Sequence, residues 1–192
     1  MWRRPWAQRS TDWFARICDR SPMGTHPQKR VASFENSRSN IRAARTAGLS
    51  TETRSMSGRF FDTNVLIYAD DHDHPDKQAR ALELIETEIN ARRMFVSTQV
   101  LHEYFVTATR KLGVPVTIAR RKVELLTELN LVILNGQDTL GAIDLHRLHG
   151  FSFWDALIVR AAQRSSCDVL YTEDLQHGRR LDSLRIENPF AS

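Results

Sequence analysis

Arg59-Phe60-Phe61-Asp62-Thr63-Asn64-Val65-Leu66-Ile67-Tyr68 is an apolar run cut by a polar triplet. Residues 60–68 read as a buried strand interrupted by Asp62-Thr63-Asn64. A carboxylate set inside an apolar strand is costly to bury unless something there needs it. Asp62 is therefore the first candidate for a functional residue.

Outward from this run, strand and helix patterns alternate. Leu82, Ile85 and Ile89 recur at helical spacing. Met94-Phe95-Val96 is a short strand, and Ser97 or Thr98 caps the next helix, which carries Leu101, Tyr104, Phe105 and Ala108 and ends near Gly113. Pro115 breaks the chain, and Thr117 caps a helix bearing Val123, Leu126 and Leu129. Residues 131–134 form a strand. Asp138 caps a helix whose stripe is Leu140, Ile143 and Leu148, ended by Gly150. Phe153-Trp154-Asp155 opens a helix with Leu157, Ile158 and Ala161. Residues 168–171 form a strand, and Leu184-Arg185-Ile186 a final edge strand. The alternation predicts an α/β fold with a parallel sheet of about five strands, covered on both faces.

Charge divides the chain. Residues 1–55 hold ten Arg and one Lys against four acids, a net of +7, whereas residues 56–192 hold 16 basic and 19 acidic residues, a net of −3. The first segment is Arg- and Ser-rich with no sustained apolar period. It reads as a disordered basic arm that touches RNA, as an organellar transit sequence, or as sequence upstream of the true start, the last being favoured because Met56 stands just before the first strand. The remainder has no overall positive field, so phosphate must be met locally or through a metal. Cys18 and Cys167 form no CxxC motif, which disfavours a structural zinc or a disulfide framework; Cys167 is expected as a small buried residue. No apolar run approaches membrane-spanning length, and a soluble, cytoplasmic protein is expected.

In open α/β sheets, ligands bind beyond the carboxyl ends of the strands. Four acids belong there: Asp62 at the first strand-to-loop transition, Glu103 early in the helix after the second strand, Asp155 in a helix N-terminal turn, and Asp174 just after Tyr171-Thr172. Carboxylates gathered this way repel one another and call for a hard cation, Mg²⁺ or Mn²⁺. Such an ion activates water and neutralises a phosphate. Taken singly, Asp155 and Asp174 also read as caps, and Glu103 as a solvated helix residue.

Phe61-Asp62-Thr63-Asn64-Val65-Leu66-Ile67-Tyr68, Val100-Leu101-His102-Glu103, Phe153-Trp154-Asp155-Ala156-Leu157-Ile158 and Leu170-Tyr171-Thr172-Glu173-Asp174 together resemble the PIN-domain nucleases, and within them the VapC-type toxins of type II toxin–antitoxin pairs. The resemblance covers about residues 58–190. It implies a three-layer α/β/α sandwich, Mg²⁺- or Mn²⁺-dependent RNA cleavage, a homodimer, and inhibition by a cognate antitoxin. It also implies that Asp62, Glu103, Asp155 and Asp174 are the catalytic acids and metal ligands, with Asn64 and Thr172 as polar helpers. The pattern Thr, any residue, Asp favours Asp174 over the adjacent Glu173. Residues 1–55 depart from the family, which again marks Met56 as the functional start.

Other features carry competing readings. Asp70-Asp71-His72-Asp73-His74 reads as a solvated loop rather than a metal site. Arg110-Lys111 and Arg120-Arg121-Lys122 read either as an RNA-backbone clamp or as ordinary charged helix surface. Trp154 reads as core packing rather than a base-stacking platform. His177, Arg179 and Arg180 follow the last acid and are candidates to approach substrate. A haloacid-dehalogenase-like phosphatase needs a second Asp where Asn64 stands, and a dinucleotide enzyme needs a GxG that the chain lacks. A catalytically silent RNA- or protein-binding module and a structure-specific DNA nuclease remain as rivals.

Overall fold

The computed structural model describes residues 57–191; the readings made for residues 1–55 lie outside the described residues. The strands are β1 (Gly58–Phe61), β2 (Met94–Ser97), β3 (Asn130–Val132), β4 (Cys167–Tyr171), β5 (Arg180–Leu181) and β6 (Leu184–Glu187). The helices are α1 (Thr63–Tyr68), α2 (Pro75–Asn90), α3 (Thr98–Arg110), α4 (Val116–Thr127), α5 (Gly136–His149) and α6 (Phe153–Arg164). The sheet runs β3-β2-β1-β4-β6-β5. Every neighbouring pair is parallel except β5 with β6. This is the expected sandwich of helices about a mostly parallel sheet, with one strand more than expected.

β1 lies near the middle of the sheet, and Phe60 and Phe61 are wholly buried. At its start the chain is wedged between its neighbours: a Cβ on Gly58 would sit 2.6 Å from the Phe95 ring and 2.8 Å from Cys167 Sγ. Cys167 is buried, as expected. Among the described residues, no helix is long and apolar enough to cross a membrane.

Residues 60–68 are not one strand. β1 stops at Phe61, and a six-residue helix, α1, begins at Thr63. The cause is Asp62, which stays extended (φ −77°, ψ 160°) while its side chain accepts the Thr63 N–H at 2.6 Å. Val65 and Leu66 then turn into the core as helix residues.

The last strand is not the edge. β6 pairs with β4 on one side and with β5 on the other, because the chain folds back through Gly178 (φ +79°), whose N–H reaches Ile186 O at 2.8 Å. Two caps also move. Pro115, not Thr117, stands before α4, and Asn135 caps α5, with Asp138 returning the bond from the third position.

Leu140, Ile143 and Leu148 are exposed rather than a core stripe. α5 instead buries Ala142 and Asp138, the latter ion-paired with Arg164 and within 3.7 Å of Arg160. The approach to α6 is tight, since a Cβ on Gly141 would lie 2.8 Å from Arg160 Nε. Small residues and ion pairs make this contact, so the large side chains point outward.

The loop after α1 is only partly solvated. His72, Asp73 and His74 are exposed, but Asp70 and Asp71 are buried. Asp71 accepts the Asp73 N–H at 2.9 Å and contacts His74 Nδ1 at 2.8 Å. Asp70 accepts the Tyr104 hydroxyl at 2.6 Å and pairs with the buried Lys122 ammonium. Burial lowers the Lys122 pKa, an effect the Asp70 charge opposes. This pair ties α4 to the end of α1. Removing one member strands a buried charge, which costs about 3–5 kcal/mol. Lys122→Met should therefore lower unfolding stability by that order, and adding Asp70→Asn should recover part of it; denaturant titration of the two variants reads both effects.

Candidate active site

The parallel pairing of β1 with β4 sets Phe61 beside Tyr171, and the Asp62 N–H donates to Tyr171 O at 3.0 Å. The next residues on the two strands, Asp62 and Thr172, therefore meet just beyond the sheet's carboxyl edge. The fully buried Thr172 hydroxyl donates to Asp62 Oδ2 at 2.7 Å. The Asn64 amide donates to the same oxygen at 3.1 Å and to Asp174 Oδ2 at 3.0 Å. The Asp174 N–H in turn donates to Thr172 Oγ1 at 3.1 Å. Asp62 and Asp174 are thus joined through two polar side chains.

Glu103 enters from α3. Its Oε2 accepts the Thr63 hydroxyl at 2.8 Å, and its Oε1 accepts the Gln99 amide at 2.9 Å. Sequence reasoning did not assign either partner. Thr63 lay within the polar triplet, and Gln99 stands four residues before Glu103, the spacing that puts two side chains on one helix face. The same Gln99 nitrogen donates to Trp154 O at 3.2 Å, which links Glu103 to the start of α6.

Asp155 sits apart. Its Oδ2 accepts the Ser152 hydroxyl at 2.7 Å, while its N–H donates to Ser152 Oγ at 3.1 Å, the arrangement of a helix cap. The structure brings Asp62, Glu103 and Asp174 into one hydrogen-bonded chain and leaves Asp155 outside it. Among the described residues, no three His, Cys, Asp or Glu side chains stand close enough to enclose an ion as they are.

Ion pairing separates these acids from several others. Asp70, Glu88, Asp138, Asp168 and Glu173 each have a Lys or Arg ion-pair partner. Among the described ion pairs, none involves Asp62, Glu103, Asp155 or Asp174. Burial pushes Asp62 up to about 7; hydrogen bonds from Thr172 and Thr63 pull it down, and the charges of Asp174 and Glu103 raise it further. Carboxylate oxygens without a Lys or Arg partner among the described ion pairs are the donor type that suits a hard divalent ion.

The neighbouring Glu173 is otherwise engaged. Burial raises its pKa, but hydrogen bonds from Lys77 and Tyr68 carry it below its ordinary value. Asp174, not Glu173, shares Asn64 with Asp62.

Of the basic candidates, Lys122 is withdrawn into the core beside Asp70, which leaves it no part in a phosphate clamp. Arg110 and Lys111 are exposed. Arg120 and Arg121 are exposed and pair with Glu124 at 2.6 and 3.2 Å. Trp154 is 62% exposed, contrary to the core reading, because Leu157 and Ile158 take the inward positions of α6. His177 accepts the Asn188 N–H at 3.0 Å, and Arg179 lies 4.4 Å over the Phe151 ring, between α5 and α6. Arg180 opens β5.

The PIN domain family model matches residues 59–181. The chain belongs to the PIN-domain family. Two solved structures share its fold. One is a toxin–antitoxin complex from Klebsiella pneumoniae, 20% identical, covering 69% of this chain and 98% of that one with a TM-score of 0.53. The other is a DNA-bound VapBC from Salmonella typhimurium, 22% identical, covering 70% and 99% with a TM-score of 0.51. No curated protein matches the chain.

Because its pKa rises from 3.8 to about 7 on folding, Asp62 binds a proton more tightly in the folded state. Its contribution is thus most favourable below the unfolded pKa and is lost as pH climbs through this window. In metal-free protein, the stability of Asp62→Asn relative to the parent should grow between about pH 4 and 7 and level off above. Paired melting curves across that range test this, and a pH-independent difference would refute it.

Proposed function

We propose that this PIN domain is a metal-dependent endoribonuclease, the toxin of a toxin–antitoxin pair. The observation that carries the reading is the chain from Asp174 through Asn64 to Asp62 and on through Thr63 to Glu103, at the carboxyl edge of the central strands. The likeness to structures of toxin–antitoxin complexes, matched over nearly their whole length, supports the toxin assignment. Mg²⁺ or Mn²⁺ is the ion the oxygen donors suit, with Asp62, Glu103 and Asp174 as its principal ligands and Asp155 approaching from α6.

When bound, the ion supplies an activated water and charge neutralisation at a phosphodiester. The chain's own part is to aim the ligands. Thr172 and Asn64 fix the Asp62 carboxylate, Thr63 and Gln99 fix Glu103, and Ser152 fixes Asp155. Residues 56–192 are net negative, so the ion is also what lets an RNA phosphate approach the cluster. The partners of this reading are an RNA substrate, a cognate antitoxin and a second copy of the chain. The exposed Leu140, Ile143 and Leu148 of α5 support a protein contact.

The purified chain should cleave RNA with Mg²⁺ or Mn²⁺ and stop with chelator. Asp62→Asn should lose at least about 100-fold, and Asn64→Ala, which removes an orienting partner, about 10–100-fold. Cleavage that survives both chelation and Asp62→Asn sinks the reading. Expression should arrest growth, and co-expression of the protein encoded beside it should relieve the arrest. If Asp62→Asn arrests growth equally, the toxin assignment fails.

A further inference from the structure

Of the three acids joined in the cluster, Asp174 has the least support from the fold. It lies in a bend beyond β4, on neither strand nor helix, and it is exposed. Loop residues of this kind are mobile unless their neighbours fix the chain. Thr172 is fixed: its N–H donates to Glu187 O at 3.0 Å and its hydroxyl to Asp62. Glu173, between Thr172 and Asp174, is held at two points. Its N–H donates to Asn64 Oδ1 at 3.4 Å, and its carboxylate is ion-paired with the Lys77 ammonium.

Lys77 is itself held. It stands in the first turn of α2, and its Nζ also donates to the Tyr68 hydroxyl at 2.9 Å. The ammonium lies 4.3 Å from the centre of the Tyr68 ring and 5.5 Å from that of Phe190, and these two rings pack edge to face. Hydrogen bonds to Glu173 and Tyr68 hold the Lys77 pKa above its ordinary value, so the ammonium stays charged at neutral pH. Tyr68 follows Asn64 by four positions, the spacing that puts both on one face of α1. The start of α1 therefore holds the Glu173 backbone, and its end, through Lys77, holds the Glu173 side chain.

We infer that Lys77 is a positioning residue for Asp174: by capturing the Glu173 carboxylate it settles which of two adjacent acids joins Asp62 and Glu103, and how that acid is aimed. The contrast within one dipeptide carries the inference. Glu173 has a cation, whereas Asp174 accepts from the neutral Asn64 amide. Without Lys77, two unneutralised acids would adjoin and the segment would lose its tie to α2. The inference rests on the metal-dependent nuclease reading for what the cluster holds.

The test is a double-mutant cycle on the full chain, read as Mn²⁺ affinity from the electron paramagnetic resonance signal of the free ion. Charge alone makes opposite predictions for the two members. Deleting a cation, Lys77→Met, would tighten Mn²⁺ binding, and deleting an anion, Glu173→Ala, would loosen it. Positioning makes one prediction for both: each loosens Mn²⁺ binding about ten-fold, and the double variant is no worse than either. Lys77→Arg, which keeps a charged donor, should recover most of the affinity. Raised Mn²⁺ should restore the cleavage lost in Lys77→Met, with the KM for RNA unchanged.

Unchanged or tighter Mn²⁺ binding by Lys77→Met overturns the inference. So do losses that multiply in the double variant, or a Lys77→Arg variant no better than Lys77→Met. A raised KM at saturating Mn²⁺ overturns it too, since Lys77 would then touch the substrate. These failures stand apart from failure of the nuclease reading, in which the parent itself binds no Mn²⁺ or cuts no RNA.

Discussion

The hydrogen bond from the Thr172 hydroxyl to Asp62 Oδ2 is the contact on which the rest of the site depends. It exists because β1 and β4 pair in parallel with Phe61 beside Tyr171, so both chains leave the sheet at the same level. One carboxylate there performs two structural tasks. It ends β1 by capping α1, and it receives the side chains that hold Asp174 in place. A hydrophobic residue at position 62 would relieve the burial penalty, yet it would leave the Thr172 hydroxyl, buried completely, without this acceptor.

Three acids buried elsewhere each have a Lys or Arg partner. Asp70 has Lys122, Asp138 has Arg164, and Glu88 has Arg93 at 2.9 Å. Among the described residues, the side-chain donors to Asp62, Glu103, Asp174 and the separate Asp155 are neutral, from Thr63, Asn64, Gln99, Ser152 and Thr172. Neutral donors orient a carboxylate without cancelling its charge. Among the described residues, no Lys or Arg offsets the charge of these acids.

Much of this was legible in the chain itself. Asp62-Thr63-Asn64 stood out as polar residues inside an apolar run, and its neighbours mark the sheet's central strand. The helix–strand alternation was readable because apolar spacing and capping residues agree, as at Ser97 and Gly150. What was not legible has physical causes. A six-residue helix is too short to show its period, so α1 passed for strand. Leu140, Ile143 and Leu148 look like a core stripe until Gly141 brings α6 close and Asp138 takes the buried place. Lys122 looks like surface charge because its partner, Asp70, is 52 residues away. Gln99 has no distinguishing context; only the fold shows that it touches both Glu103 and the backbone at Trp154.

The two residues of the decisive contact lie 110 positions apart. Asp62 is among the first residues of the domain to leave the ribosome, and Thr172 among the last. Until β4 has been made and has docked against β1, Asp62 has neither the Thr172 hydroxyl nor an Asn64 amide braced against Asp174. Long-range pairing of this kind is slow to form. A ribosome partway through the message therefore carries a chain with the first acid but no assembled cluster, and premature termination leaves a fragment without it. Order of synthesis thus delays the completed acid cluster until translation of the domain is nearly finished.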